Sequence, residues 1–310
     1  MTRDPKAIRI VFMGTPDFAV ASLQKLLDSG FTVVGVITAP DKPAGRGLAL
    51  QESPVKQFAV AHKLPLLQPI KLKDPDFLKQ LTAWKPDLQI VVAFRMLPEL
   101  VWGLPPLGTI NLHGSLLPNY RGAAPINWAL INGEQKTGVT TFLLKHEIDT
   151  GDLLLQEEIA IDEKDNFGTL YNKLKIRGAQ LLTNTIEQYV QDTITPIPQN
   201  ELAQSNNSAP KLQKETGAIN WNCHPRTINN LIRGLSPTPG AYAILQGKFL
   251  KIFQAIPIDE KISVAPGTID TDGKSYLRFA CAQGWLQVEE LQPEGKKKMN
   301  VASFLQGFRF

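Results

Sequence analysis

Residues 8–38 read "IRIVFMGTPDFAVASLQKLLDSGFTVVGVIT", and the spacing of the apolar residues in this stretch decides the fold. The run 8–13 is short and apolar and stops at Gly14. The next segment, 17–30, places Val20, Leu23, Leu26 and Leu27 at helical spacing. Asp17 stands where an N-cap is wanted and Gly30 where a helix stops. A second apolar run follows at 32–38. A strand, a helix and a strand in about thirty residues form one parallel crossover unit.

The pattern continues outward. Segments 54–63 and 74–84 read as helices, 64–67 as a short strand, and 87–94, 108–113, 138–144 and 153–161 as further strands. A helix over 167–190 closes the series. Strands that are apolar throughout, rather than alternating, suit a parallel sheet covered on both faces. The expectation is a doubly wound α/β domain over 1–190. Residues 191–207 are polar and rich in Pro and Asn, and read as a linker. Beyond them the pattern changes to short strands at 241–246, 248–254, 266–270, 275–281 and 284–291. One helix at 225–235 accompanies them. Tight Gly, Pro and Asp-Gly turns between such strands suggest a small β-barrel over 208–310.

The chain of 310 residues is 43% hydrophobic, which suits a globular protein with a buried core. No apolar run reaches the ~18–20 residues of a membrane span, and the first residues lack the pattern of a signal peptide. Two cysteines make no disulfide framework, so the expected compartment is the reducing cytoplasm. The net charge is +4 and uneven. Residues 1–207 hold 20 basic against 21 acidic side chains, and residues 208–310 hold 13 against 8. The excess positive charge of the last third suits a polyanionic partner, or a solvated basic surface.

Several stretches are candidates for chemistry. The turn "GTPDFA" (14–19) lacks the second and third glycines of a dinucleotide fingerprint and reads as a structural turn. In "APDKPAGRG" (39–47), Arg46 stands between two glycines, able to reach a phosphate or simply solvated. The stretch "INLHGSLLPNYRGAAPI" (110–126) matters most. Residues i, i+2 and i+4 of a strand share a face, so Asn111, His113 and Ser115 project together at the end of an apolar strand. A polar face there is what a site on the carboxyl edge of a parallel sheet requires. Asp149, in the turn of "KHEIDTGDLL" (145–154), should reach the same edge.

Ser115, His113 and Asp149 superficially suggest a hydrolase triad, but Ser115 is not in a G-x-S-x-G elbow. His113, His146 and Asp149 lack the spacing of a zinc set, and no metal is expected. Cys223-His224 is an isolated pair. What remains is acid–base chemistry at a carbonyl. An Asn amide and an imidazolium both donate to an oxygen that gains charge, and a carboxylate orients the imidazole. Asn111, His113 and Asp149 suffice for acyl transfer between two nitrogens with no covalent enzyme intermediate.

The block "INLHGSLLPNYRGAAPINWALINGEQKTGVT" with "HEIDTGDLL" resembles the folate-dependent formyltransferases, which carry Asn-x-His, Ser-Leu-Leu-Pro and a downstream Asp in a D-T-G turn. "VFMGTPDFA", "DKPAGRG", "SPVK", "RGAAPI" and "QPEGKKKMNVASFLQGFRF" extend the resemblance from Ile8 to the C-terminus. It implies a Rossmann-like domain that binds 10-formyltetrahydrofolate and an OB-like C-terminal barrel that binds tRNA. It also implies transfer of the formyl group to the α-amine of initiator methionyl-tRNA, with Asn111, His113 and Asp149 catalytic. Ser115, Leu116, Leu117 and Pro118 would hold the folate, and Arg46 would contact the tRNA. The protein would act as a monomer. Among the basic C-terminal residues, Arg226, Arg233, Lys248, Lys251 and Lys296 to Lys298 are candidate RNA contacts on charge alone, not on spacing.

The chain departs from the family pattern in two places. "LALQE" follows "AGRG" where many relatives carry lysines, and "AFRMLPE" (93–99) replaces an Ala-Tyr-Gly start. Arg95 is therefore open between a folate contact, an RNA contact and a solvated side chain. Two rival readings are a formyltransferase acting on a small amine, such as an amino sugar nucleotide or glycinamide ribonucleotide, and a non-catalytic RNA-binding protein. The basic last third counts against the first, and the intact Asn111, His113 and Asp149 against the second.

Overall fold

The computed structural model describes residues 4–44, 49–202 and 207–308. In chain order the elements begin with β1 (Arg9–Gly14), α1 (Asp17–Asp28), β2 (Thr32–Ile37), β3 (Lys42–Ala44), β4 (Ala49–Gln51), α2 (Pro54–Ala61), β5 (Leu66–Leu67) and α3 (Pro75–Ala83). They continue with β6 (Leu88–Val92), α4 (Glu99–Trp102), β7 (Thr109–His113), β8 (Arg121–Gly122), α5 (Pro125–Ile131), β9 (Lys136–Leu143), β10 (Leu153–Ala160) and α6 (Phe167–Val190). The last third holds β11 (Ser208–Ala209), α7 (Pro225–Leu235), β12 (Ala241–Leu245), β13 (Lys248–Ile258), β14 (Ile269–Thr271), β15 (Leu277–Cys281), β16 (Gly284–Pro293), β17 (Met299–Asn300) and α8 (Val301–Gly307). Two compact units result. One comprises residues 1–122, 138–159 and 171–207, and the other 123–137, 160–170 and 208–310.

The first unit is built on a seven-stranded sheet in the order β10-β9-β7-β6-β1-β2-β5. From β5 to β7 the neighbours are parallel, and β9 joins β7 antiparallel. Every residue of β6, and all of β1 after Arg9, is buried, as both-face coverage by helices demands. On one face Val11, Met13, Ile37 and Val91 pack with Phe77 and Leu81 of α3. The strand order reverses between β1 and β6, so their carboxyl ends at Gly14 and Val92 flank the crevice where doubly wound sheets take ligands. Gly14 is required at this point, because a Cβ would run into Ala19 Cβ and the Val92 carbonyl oxygen.

Local signals explain most helix starts. Ser53 accepts from the Lys56 N–H, and Asp74 accepts from the N–H groups of Asp76 and Phe77; in both helices Pro opens the first turn. The expected cap at Asp17 is not one. Pro16 occupies the cap position without a side-chain bond, and the Asp17 carboxylate instead pairs with Lys175 at 2.5 Å. Gly30 does end the turn, at φ +76°.

The second unit holds a curled antiparallel half-barrel in the order β12-β13-β16-β15-β14, with β17 added to β16. The expected helix at 225–235 is α7, and its buried Ile228, Ile232 and Leu235 pack on Leu250, Ile252, Leu286 and Val288. His224 caps α7 by accepting from the Arg226 N–H, which gives the Cys223-His224 pair a structural use. Three helices escape the sequence pattern, the single turn α4 among them. Helix α5 is short and lacks a side-chain cap, and α8 is a short helix opened by Asn300, which accepts from the Ser303 N–H.

Candidate active site

β7 ends at His113, and the burial along Thr109–His113 leaves only Asn111 half-buried. Asn111 and His113 share a strand face, as their spacing requires. Among the described residues the Asn111 side-chain amide has no hydrogen-bond partner, so its N–H groups are available to a ligand. His113 is buried and held by two groups. Its Nε2 lies 2.9 Å from the Tyr120 carbonyl oxygen, and its Nδ1 lies 3.9 Å from Asp149 Oδ2. A carbonyl only accepts, so Nε2 carries the proton of that bond. The nitrogen free to gain and lose a proton is Nδ1, the one that faces the carboxylate. Tyr120 presents its carbonyl from a left-handed backbone, φ +60°.

Asp149 is also left-handed, φ +54°. Its Oδ2 accepts from the Gly122 N–H at 3.0 Å, which fixes the oxygen that faces His113. The turn around it is tied down by a residue from the segment expected to be a linker. Gln199 Nε2 donates to the carbonyl oxygens of Asp149 (2.9 Å) and Gly151 (2.8 Å). Gln199 Oε1 accepts from Arg121 Nε (3.0 Å) and from its terminal nitrogen (2.5 Å). Nearby Ile197 pairs with Leu153 through backbone bonds of 2.8 and 2.9 Å. Pro118, Arg121, Lys145, Thr150 and Gln199 are among the residues lining a cavity of about 430 Å³ beside this turn.

The loop after β7 is built around Thr140 of β9. Thr140 Oγ1 donates to the Ser115 carbonyl oxygen (2.6 Å) and accepts from the Leu117 N–H (3.1 Å) and from Gln156 Nε2 (3.0 Å). Gln156 Nε2 also donates to the Leu117 carbonyl oxygen. Ser115 is fully buried and its hydroxyl donates to the Asn119 carbonyl oxygen. Leu117 is buried against Phe142 and Leu153. Of the four residues expected to hold folate, Ser115 and Leu117 thus turn their side chains into the protein, while Leu116 and Pro118 stay half-exposed.

Arg46 lies outside the described residues. The base of its loop is held by Lys56, which pairs with Asp41 and, at 2.9 Å, with Glu52; Gln68 also donates to Asp41. Arg95 is exposed and has partners within the protein. Its guanidinium donates to the carbonyl oxygens of Pro69 and Ile70, tying the loop after β6 to the loop after β5. Of the basic C-terminal residues, Arg226 pairs with Asp259 and Lys298 with Glu290. Arg233 donates to the carbonyl oxygens of Asp162, Glu163 and Asp165, and Lys251 to that of Pro239. Lys248, Lys296 and Lys297 are exposed, and among the described residues no side chain partners their ammonium groups.

The residues that reading the sequence missed are those whose work is done by backbone or from afar. Tyr120 acts through its carbonyl and Gly122 through its N–H. Gln199 reaches Asp149 from 50 positions away in the chain, and nothing in "TPIPQNE" (195–201) marks it as buried.

Residues 8–186 match the Formyl transferase family, and residues 211–309 match the Formyl transferase, C-terminal domain family. The chain belongs to the formyl transferase family. This member is 52% identical over 308 residues to the methionyl-tRNA formyltransferase of Bacteroides fragilis, across 97% of this chain and 95% of that protein. Its fold is similar to that of the N-formyltransferase from Helicobacter canadensis, solved with folinic acid and dTDP-3-aminofucose. There the TM-score is 0.69 at 20% identity, over 94% of this chain and 100% of the other. The fold is also similar to that of HypX from Aquifex aeolicus, solved with tetrahydrofolic acid, with TM-score 0.64 and 19% identity. The match covers 96% of this chain and 47% of HypX, so the chain spans about half of that protein.

Proposed function

We propose that the chain transfers the formyl group of 10-formyltetrahydrofolate to the α-amino group of initiator methionyl-tRNA, giving N-formylmethionyl-tRNA. The observation that carries this reading is the meeting of His113 and Asp149 beside the unpartnered amide of Asn111, in a chain 52% identical to a methionyl-tRNA formyltransferase. The first unit, residues 191–207 included, does the chemistry, and residues 208–310 hold the tRNA. The protein works as a monomer in the cytoplasm. Its two cysteines are both unpaired, which suits a reducing compartment.

The site suits a folate. The loop after β6 carries half-exposed Phe94 and exposed Met96, and the loop after β7 carries half-exposed Leu116 and Pro118. These apolar surfaces flank the sheet's carboxyl edge, where a flat heteroaromatic ring gains from leaving water. When bound, the folate supplies a formyl group on N10.

In the reaction a bond forms between the amine nitrogen and the formyl carbon, and the bond from that carbon to N10 breaks. Asn111 donates to the formyl oxygen as it gains charge. His113 adds a second donor through Nδ1. Nε2 is committed to Tyr120, so proton traffic runs through the space between Nδ1 and Asp149 Oδ2. The pair takes the proton that the attacking amine loses and returns one to N10. Asp149, anchored by Gly122, keeps the imidazole oriented while this happens.

The test supplies the purified protein with 10-formyltetrahydrofolate and either charged initiator methionyl-tRNA or small amines, including an amino sugar nucleotide and glycinamide ribonucleotide. Formylation of the tRNA is expected. Formylation of a small amine and not of the tRNA would overturn the reading.

A further inference from the structure

We propose that Gln199 is a positioning residue for Asp149, so that the segment after α6 sets the geometry of the acid–base pair. Gln199 is only 4% exposed, and both ends of its amide are used. Nε2 holds the backbone carbonyls of Asp149 and Gly151, and Oε1 holds the guanidinium of Arg121. The amide orientation is chemically determined. Carbonyl oxygens only accept and a guanidinium only donates, so a flipped amide would oppose like groups at both ends.

The two arms of Gln199 grip the two sides of the Asp149 carboxylate. One arm holds the turn that carries Asp149. The other holds Arg121, and the next residue, Gly122, gives the N–H that fixes Asp149 Oδ2. Asp149 adopts φ +54°, a backbone state that a non-glycine residue keeps only where its surroundings impose it. On the outer side of the turn Glu147 is exposed and Ile148 is 61% exposed, and the bond found there is local, from Thr150 Oγ1 to the Glu147 carbonyl oxygen at 3.2 Å. Gln199 is the inward tether. Neither side chain of similar shape replaces it: glutamate keeps the acceptor and loses the donors, and methionine loses both.

The inference rests on the proposed acyl-transfer role of Asp149, and its test separates the two. Gln199→Glu and Gln199→Met are made in the full chain, and kcat and KM are measured with 10-formyltetrahydrofolate and methionyl-tRNA. In parallel, the His113 ring is followed by ¹⁵N NMR in the protein without substrate. Gln199→Glu keeps the Arg121 arm, now as an ion pair, so it tests the carbonyl arm in a folded protein even if the methionine variant is unstable. Both variants are expected to lose at least about tenfold in kcat with KM for folate within about twofold, the signature of a group acting through the transition state. The His113 ring signals should move in both. A Gln199→Glu protein with normal kcat and unmoved His113 signals would overturn the proposal, as would a loss confined to KM. Should the natural protein transfer no formyl group, the ring signals alone decide: movement supports the tether, and no movement refutes it.

Discussion

Asp149 faces His113 Nδ1 across 3.9 Å while its Oδ2 accepts from the Gly122 N–H at 3.0 Å. The gap is longer than a hydrogen bond, as catalytic contacts often are before substrate closes on them. Replacing His113 by Ala removes the proton carrier and should lower kcat by about 10²–10⁴-fold. Asp149→Asn should cost a similar factor with KM for folate little changed. Steady-state kinetics of formyl transfer checks both. A His113→Ala protein with near-normal turnover would refute the assignment even with the substrates right.

Among the described residues, the Asn111 side chain at this strand end meets no hydrogen-bond partner. Its replacement should therefore disturb catalysis more than stability. Asn111→Ala is expected to lower kcat by about 10²–10³-fold, as loss of a preorganised donor to a developing oxyanion does, with the urea midpoint unchanged. Asn111→Asp, which puts an acceptor where a donor is needed, should be at least as poor. A shift of the urea midpoint without loss of kcat would show Asn111 to be structural.

The periodicity of the sequence made the sheet legible because strands buried on both faces are apolar throughout, and β1, β2, β6 and β7 fell within a residue or two of their expected bounds. The approach of His113 to Asp149 was legible because a strand end and a turn on the same sheet edge bring their side chains together. The helices α4, α5 and α8 were not, since one turn or two leave too little repeat to recognise. Gln199 was hidden for another reason. Its segment has the polar, Pro-rich composition of a tether, and its burial comes from what it meets in space. Arg95 was open for a related reason: a cation in a ligand-side loop has several uses, and its bonds to the Pro69 and Ile70 carbonyls, a structural one, are seen only in space.

Thr140 of β9 should be the most costly single hydroxyl to lose for the loop after β7. It is fully buried, and its Oγ1 bonds to the Ser115 carbonyl, the Leu117 N–H and Gln156. Thr140→Val keeps the shape but leaves the Leu117 N–H without this acceptor. A loss of about 2–3 kcal/mol is expected, read from the urea midpoint, together with a higher KM for folate. Thr140→Ser should recover most of the stability.

The Lys56–Asp41 pair gives the base of the β3–β4 hairpin a pH dependence of known sign. The hydrogen bond from Lys56 is the largest influence holding the Asp41 carboxyl below its ordinary value. A lowered carboxyl stabilises the folded form above its unfolded value, near about pH 4, and the contribution disappears as pH falls through the folded value. Lys56 is raised, chiefly by its bond to Asp41, so its contribution holds below about pH 10 and fades as pH rises through the folded value. Lys56→Met should speed hydrogen exchange of the paired Lys42 and Gln51 between these limits. A variant that exchanges like the natural protein there would show that Lys56 does not hold the hairpin.

Of the basic residues expected to contact RNA, Lys248, Lys296 and Lys297 are the three whose ammonium groups meet no side-chain partner among the described residues, and they are therefore the expected phosphate contacts. Arg233 is the counterexample: it is spent on the carbonyls of Asp162, Glu163 and Asp165, so its loss should destabilise the unit more than it weakens RNA binding. Each lysine that neutralises a phosphate releases counterions, and changing it to Glu should flatten the dependence of log K on log salt by about 0.7–0.9. The triple variant should therefore bind methionyl-tRNA more weakly at low salt, raise its KM and leave KM for folate within about twofold. Filter binding across a salt series, beside kinetics at fixed salt, reads all three. An unchanged salt slope in the triple variant would place the tRNA on another face.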